Sequence, residues 1–215
     1  MNKKWLELLQ NIKEFISSDN LDETFFTNYY YKTIKFHYDN PNRFYHTFKH
    51  IRSLLFSLDD FHLTEIEKIK IELAIWFHDL IYNAKSKTNE IDSVDEFISF
   101  GLQTGLSINF IEEICDIILV TQHNNTAHNR LQKIMCDIDL KEFAYDNYIE
   151  NSNNVKKEFG HLTDDEWKKG RSNFLKTFIN KEFIYYTDKY KDALEDTAKI
   201  NLQKELDYIN KDGIS

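Results

Sequence analysis

His46 and His50, in the stretch NRFYHTFKHI, stand four residues apart, the spacing that puts two side chains on one face of a helix. Two imidazoles so placed can bind a metal, or one can bind it while the other moves a proton. A second group, AIWFHDLIYN, sets His78 and Asp79 side by side inside an apolar run. An ionised carboxylate there is costly unless a cation or hydrogen bonds compensate it. A third group, CDIDL, holds Asp137 and Asp139; residues two apart on a helix diverge by about 200°, so one points inward and the other outward or to a partner. Between them, IILVTQHNNTAHNRL places His123 at the end of an apolar helix, aimed at a pocket, and His128 in a loop. The order His, His-Asp, His, Asp, each on a separate helix, is how helical bundles assemble buried metal sites.

The elements that must position these residues are helices. Pro41 is the only proline and there are five glycines, too little punctuation for a many-turned β protein of this size. Apolar residues recur at helical spacing at Trp5, Leu8, Leu9, Ile12, Phe15 and Ile16, and again through IEKIKIELAIWFHDLIY. Asn40-Pro41-Asn42 breaks the chain, and the spacing predicts a helix from there that carries both His46 and His50. Further helices are expected over 21–38, 64–82, 90–103, 107–122, 130–149, 163–180 and 188–211. Thr64 with Glu67 and Thr163 with Glu166 have capping-box spacing. The Asn-rich NYIENSNNVKKEFGHLTDDE reads as a surface loop. The last helix carries an apolar stripe at Leu194, Ala198, Leu202 and Leu206, which closes the bundle or, alternatively, makes a homodimer contact. The expectation is an all-α chain, 1–215, folded as a single helical bundle.

Composition narrows the function. The 27 Lys and Arg against 36 Asp and Glu, a net charge of −9, argue against a broad nucleic-acid footprint and against an anionic membrane surface. The first residues lack the apolar run of a signal peptide, and no stretch approaches the length of a membrane span, so a cytoplasmic protein is expected. Cys115 and Cys136 form no CxxC pair and read as small apolar core residues.

With these motifs together, the chain resembles the HD superfamily of metal-dependent phosphohydrolases, whose hallmark is a helical core with ligands in the order H…HD…D. NRFYHTFKHI, AIWFHDLIYN, TNEIDS, VTQH, CDIDL and RSNFLKTFINKEFIYYT resemble, over roughly residues 20 to 206, a compact bacterial branch of predicted HD phosphohydrolases. The resemblance implies metal ligands at His50, His78, Asp79 and one of Asp137 or Asp139, with Asp139 favoured because Leu follows it directly, as in the cyclic-nucleotide phosphodiesterases. By analogy with those enzymes His50 is the ligand and His46 the general acid; a structural hydrogen bond is the alternative for His46. Asp79 would also orient or deprotonate the water, and His123 would hold a second metal or the phosphate. Glu90 is a candidate base or supporting partner. Arg43, Lys49, Lys85 and Arg130 are the basic residues nearest the motifs, and the candidates for binding substrate phosphate.

The implied cofactor is one or two divalent ions per chain, Mn²⁺, Fe²⁺, Co²⁺, Ni²⁺ or Mg²⁺. The implied reaction is hydrolysis of a phosphoester of a nucleotide or similar small phosphorylated metabolite by activated water. A di-iron HD oxygenase would need about six ligands, which His50, His78, Asp79, His123, His128 and Asp139 just supply. A ligand-sensing protein that retains the metal for structure is the non-enzymatic alternative.

Overall fold

The structure, a computed structural model, describes residues 1–15, 22–124 and 126–211. The expectations at Ile16 and Leu21 fall outside them. Among the described residues every regular element is helical and there is no strand, and no helix is long and apolar enough to cross a membrane. The chain divides into two compact units, Met1–Thr126 and Ala127–Ser215.

The first unit begins with α1 (Asn2–Asn11), then α2 (Glu23–Tyr29), which runs through a π turn, Tyr30–Ile34, into α3 (Lys35–Tyr38). It continues with α4 (Phe48–Ser57), α5 (Glu65–Phe77), α6 (Asn89–Thr104) and α7 (Ile108–Leu119). Its core is aromatic. Trp5, Trp76, Phe77, Phe97 and Phe100 are at most 1 % exposed, and Trp5 meets Trp76 edge-on at 5.4 Å between ring centroids, a geometry that adds to the burial gain. The Trp5 indole N–H donates to the Phe26 carbonyl at 3.1 Å, so this large ring is buried without stranding its polar atom. Thr64 and Glu67 form the expected capping box at the start of α5. α6 ends at Gly105, whose φ of 73° is the left-handed turn that glycine adopts without a Cβ clash. Gly101 lets α7 close on α6, since a Cβ there would come within 2.7 Å of Ile111 Cγ1.

The second unit contains α8 (Arg130–Leu140), α9 (Tyr148–Glu158), α10 (Asp164–Ile179) and α11 (Asp188–Lys211). The Thr163–Glu166 capping box is present at α10, and Asn129 with Gln132 forms another at α8. Its interior is bound by charge as well as by hydrocarbon. Buried Arg171 donates through Nε to Glu205 Oε1 at 2.9 Å and through Nη2 to the Tyr148 hydroxyl at 3.1 Å. The Tyr148 and Ser152 hydroxyls both donate to the Glu205 carboxylate, and Leu175, Ala198 and Leu202 are fully buried nearby in sequence.

Four expected elements differ, the helix over 64–82 by ending at Phe77. α4 starts at Phe48, not after Pro41: Thr47, in extended conformation, accepts from Lys49 N with its hydroxyl and caps the helix there. The segment expected as one helix over 130–149 stops at Leu140, passes through a 3₁₀ turn, and restarts at Tyr148. The Asn-rich loop is in large part α9. Its inward face is polar, with Asn151 donating to Glu142 at 2.6 Å and Ser152 bonded to Glu205, so hydropathy shows no helical period.

Candidate metal centre

In the first unit the helix ends do the positioning. α5 is apolar along nearly its whole length and terminates as the chain reaches His78, whose backbone N–H still bonds the Ala74 carbonyl at 2.8 Å. Asp79 follows in a turn, and the next residues are pinned to α6. Ile81 N donates to Ser93 Oγ at 3.1 Å, and Asn83 N donates to Asn89 Oδ1 at 2.9 Å. His50, on α4, is 2 % exposed and His78 1 %, while the Asp79 side chain is 14 % exposed.

Three side-chain atoms converge there. His50 Nε2 lies 3.3 Å from His78 Nε2, His78 Nε2 lies 2.9 Å from Asp79 Oδ2, and His50 Nε2 lies 3.6 Å from the same oxygen. His78 Nδ1 is 3.0 Å from the Ile75 carbonyl. A carbonyl can only accept, so Nδ1 carries a proton, and when the ring is neutral its Nε2 lone pair faces the Asp79 carboxylate. Two acceptors at 2.9 Å repel unless a positive charge, proton or metal, lies with them. An octahedral ion with bonds of about 2.1 Å sets neighbouring donors about 3.0 Å apart, and a tetrahedral one about 3.4 Å. The donor set therefore fits a divalent ion in both chemistry and spacing, and the carbonyl that fixes the His78 ring is the kind of outer partner that orients metal-binding imidazoles. Burial pushes the Asp79 carboxyl up, but positive charge on the neighbouring imidazoles of His78, His46 and His50, with a hydrogen bond from His78, outweighs it and holds the carboxyl well below the ordinary carboxylate range, a proton there serving the part a metal would take.

In the second unit the two aspartates of α8 have separate fates, as their angular separation requires. Asp137 is fully buried and accepts from Tyr186 N at 2.6 Å, Thr187 N at 2.8 Å and Thr187 Oγ1 at 2.6 Å. It thereby ties down the N–H groups just ahead of α11. Asp139 is half-buried. Asp139, like Asp137, belongs to the second unit, whereas His50, His78 and His123 belong to the first.

No protein-family model, curated protein or solved structure matches the chain. The remaining candidates are placed by the structure alone. His46 precedes α4, so it does not share a helix face with His50; its ring stacks on Tyr82 at 4.1 Å between centroids and lies 6.1 Å from the His50 ring. His123 adopts φ 55°, the left-handed region, at the end of a 3₁₀ turn, and is half-buried. His128 is exposed ahead of α8, its backbone N–H held by Gln132 Oε1 at 2.8 Å. Glu90 lies in the first turn of α6. Lys49, Lys85 and Arg130 are exposed, whereas Arg43 is buried. Burial pushes the Cys115 thiol up to about 11 and the Cys136 thiol up to about 12, and both are buried thiols outside any disulfide, the state of inert core cysteines. Sequence reasoning missed the Thr47 cap, whose signal is a threonine two residues ahead of Lys49, and the Ile75 carbonyl, which leaves no trace in residue types.

Proposed function

We propose that the protein is a metal-dependent phosphohydrolase of the HD superfamily, with the single helical-bundle HD fold, acting on a nucleotide or similar small phosphorylated metabolite. The observation that carries this reading is the convergence of His50 Nε2, His78 Nε2 and Asp79 Oδ2 within 3.6 Å, with the Nδ1 proton of His78 spent on the Ile75 carbonyl so that Nε2 is the atom turned to the other two. The H…HD…D order of the resemblance would add Asp139. A divalent ion held by these residues would supply an activated water near neutral pH and would offset charge building on phosphorus.

The chain's own residues have distinct tasks. His50 and His78 bind, as would Asp139 by the resemblance. Asp79, ionised by its neighbours, binds and also orients or deprotonates the water. His46, stacked on Tyr82 and beside the donors rather than among them, protonates the leaving oxygen. Lys49, Lys85 and Arg130, being exposed, draw an anionic substrate to a chain that is otherwise acidic. The test is phosphate release from a panel of nucleotides and generic phosphoesters by metal-stripped protein given Mn²⁺, Co²⁺, Ni²⁺ or Mg²⁺. Metal-dependent release that vanishes in Asp79→Ala is expected. A folded, metal-binding protein that releases no phosphate from any substrate would overturn the reading and turn attention to oxygen uptake with iron or to ligand sensing.

A further inference from the structure

Arg43 joins the two stretches that carry the centre. It is 7 % exposed, and both of its terminal nitrogens donate to peptide carbonyls. Nη1 donates to the His46 carbonyl at 3.2 Å and to the Asp79 carbonyl at 2.7 Å, and Nη2 donates to the Leu80 carbonyl at 2.7 Å. Its guanidinium carbon lies 5.1 Å from the centre of the Tyr38 ring and 5.5 Å from that of Tyr82, and Tyr82 is the ring on which His46 stacks. One planar fork thus spans the segment before α4 and the turn after α5. The turn carbonyls lie just past a helix C-terminus, where a cation is favoured.

We propose that Arg43 is a positioning residue that sets His46 against the His78–Asp79 pair through backbone carbonyls, and does not bind substrate phosphate. The inference rests on the metal-centre reading above. A rigid, planar, doubly armed donor is required for the task, because a lysine ammonium cannot reach three carbonyls on two segments in fixed directions. Displacing the Asp79 backbone tilts its carboxylate, and outer partners of metal ligands typically govern affinity by about 10- to 100-fold. The predicted signature is therefore damage to metal geometry and turnover with substrate affinity preserved.

The experiment compares the full-length wild type with Arg43→Lys and Arg43→Met. In metal-free protein, amide hydrogen exchange is expected to accelerate together in residues 43–47 and 78–82 of both variants. On titration with Co²⁺, the dissociation constant is expected to rise about 10- to 100-fold and the visible ligand-field spectrum to change. With an active phosphoester, kcat falls while KM stays within about threefold, and lysine does not rescue. An unchanged Co²⁺ spectrum with KM raised about tenfold would overturn the proposal and return Arg43 to substrate binding. Should a variant not fold, the wild type decides: its Nη–H resonances must exchange slowly and stay unmoved by inorganic phosphate, and a phosphate-induced shift overturns the proposal. If the wild type binds no Co²⁺, the exchange and resonance readouts still judge the clamp, and the metal-centre reading falls by itself.

Discussion

Each unit of the molecule buries a charged cluster, and the two are built on opposite logic. Around Arg171 and Glu205, donors and acceptors match: a guanidinium and two hydroxyls address one carboxylate. Around His50, His78 and Asp79, the Nδ1 proton of His78 is spent on Ile75, and the Nε2 of the neutral ring and the Asp79 carboxylate are two acceptors turned toward one another. The first arrangement is complete as protein and stiffens the packing of α9, α10 and α11. The second has a use for a cation. Buried charge by itself is thus no mark of a functional site; the sign and direction of the lone pairs are what separate a structural network from a metal centre.

The largest expected effect that tests this contrast is at the acceptor cluster. Asp79→Ala is expected to lower metal-dependent phosphate release by about 10³-fold or more, with thermal unfolding of the metal-free protein little changed. A collapse of the fold instead would mean the cluster is structural, like its counterpart.

At the matched cluster the consequences reverse. Arg171→Met strands the Glu205 carboxylate, which should cost about 3–5 kcal/mol in urea unfolding, while Arg171→Met with Glu205→Leu should recover most of that loss. A single variant within about 0.5 kcal/mol of wild type would remove the distinction.

Saturating metal sharpens the comparison at a smaller scale. An ion at 100 times its dissociation constant should stabilise the wild type by about 2.7 kcal/mol, measured as a rise in Tm, and the gain should be missing in His50→Ala but present in the Arg171→Met, Glu205→Leu double variant.

The smallest effect is on the pH dependence of stability. Burial pushes the Glu205 carboxyl up, but the hydrogen bond and charge of Arg171, with the Ser152 and Tyr148 hydroxyls, bring it below its ordinary value of 4.5. A carboxyl depressed on folding contributes stability that is full above its unfolded value and is lost as pH falls through the folded one. The urea midpoint should therefore decline below about pH 4.5, and Glu205→Gln should flatten that decline. An acid limb equally steep in the variant would assign it to other carboxylates.

Much of this was legible in the chain. Helix identity followed from apolar period and the scarcity of Pro and Gly, and two of the capping boxes from Thr-x-x-Glu spacing, because these are local rules. His78 and Asp79 were marked by the hydrocarbon around them. α9 was not legible, since its buried face is Asn151 and Ser152 and polar atoms bury only where a distant partner meets them. Nor was the place of His46, where a Thr47 cap overrode the break at Pro41.

What the sequence by itself determined is the all-helical class and the residue types able to hold a divalent ion, for both depend on neighbours within a turn or two of the chain. Only the tertiary structure decided that Asp137 is consumed by the N–H groups of Tyr186 and Thr187, that the His78 ring is fixed by Ile75, and that Arg43 holds carbonyls. Each of those is a hydrogen bond to the main chain, and the backbone offers the same N–H and C=O at nearly every position. Which of them a side chain meets is settled by packing and has no signature in the letters.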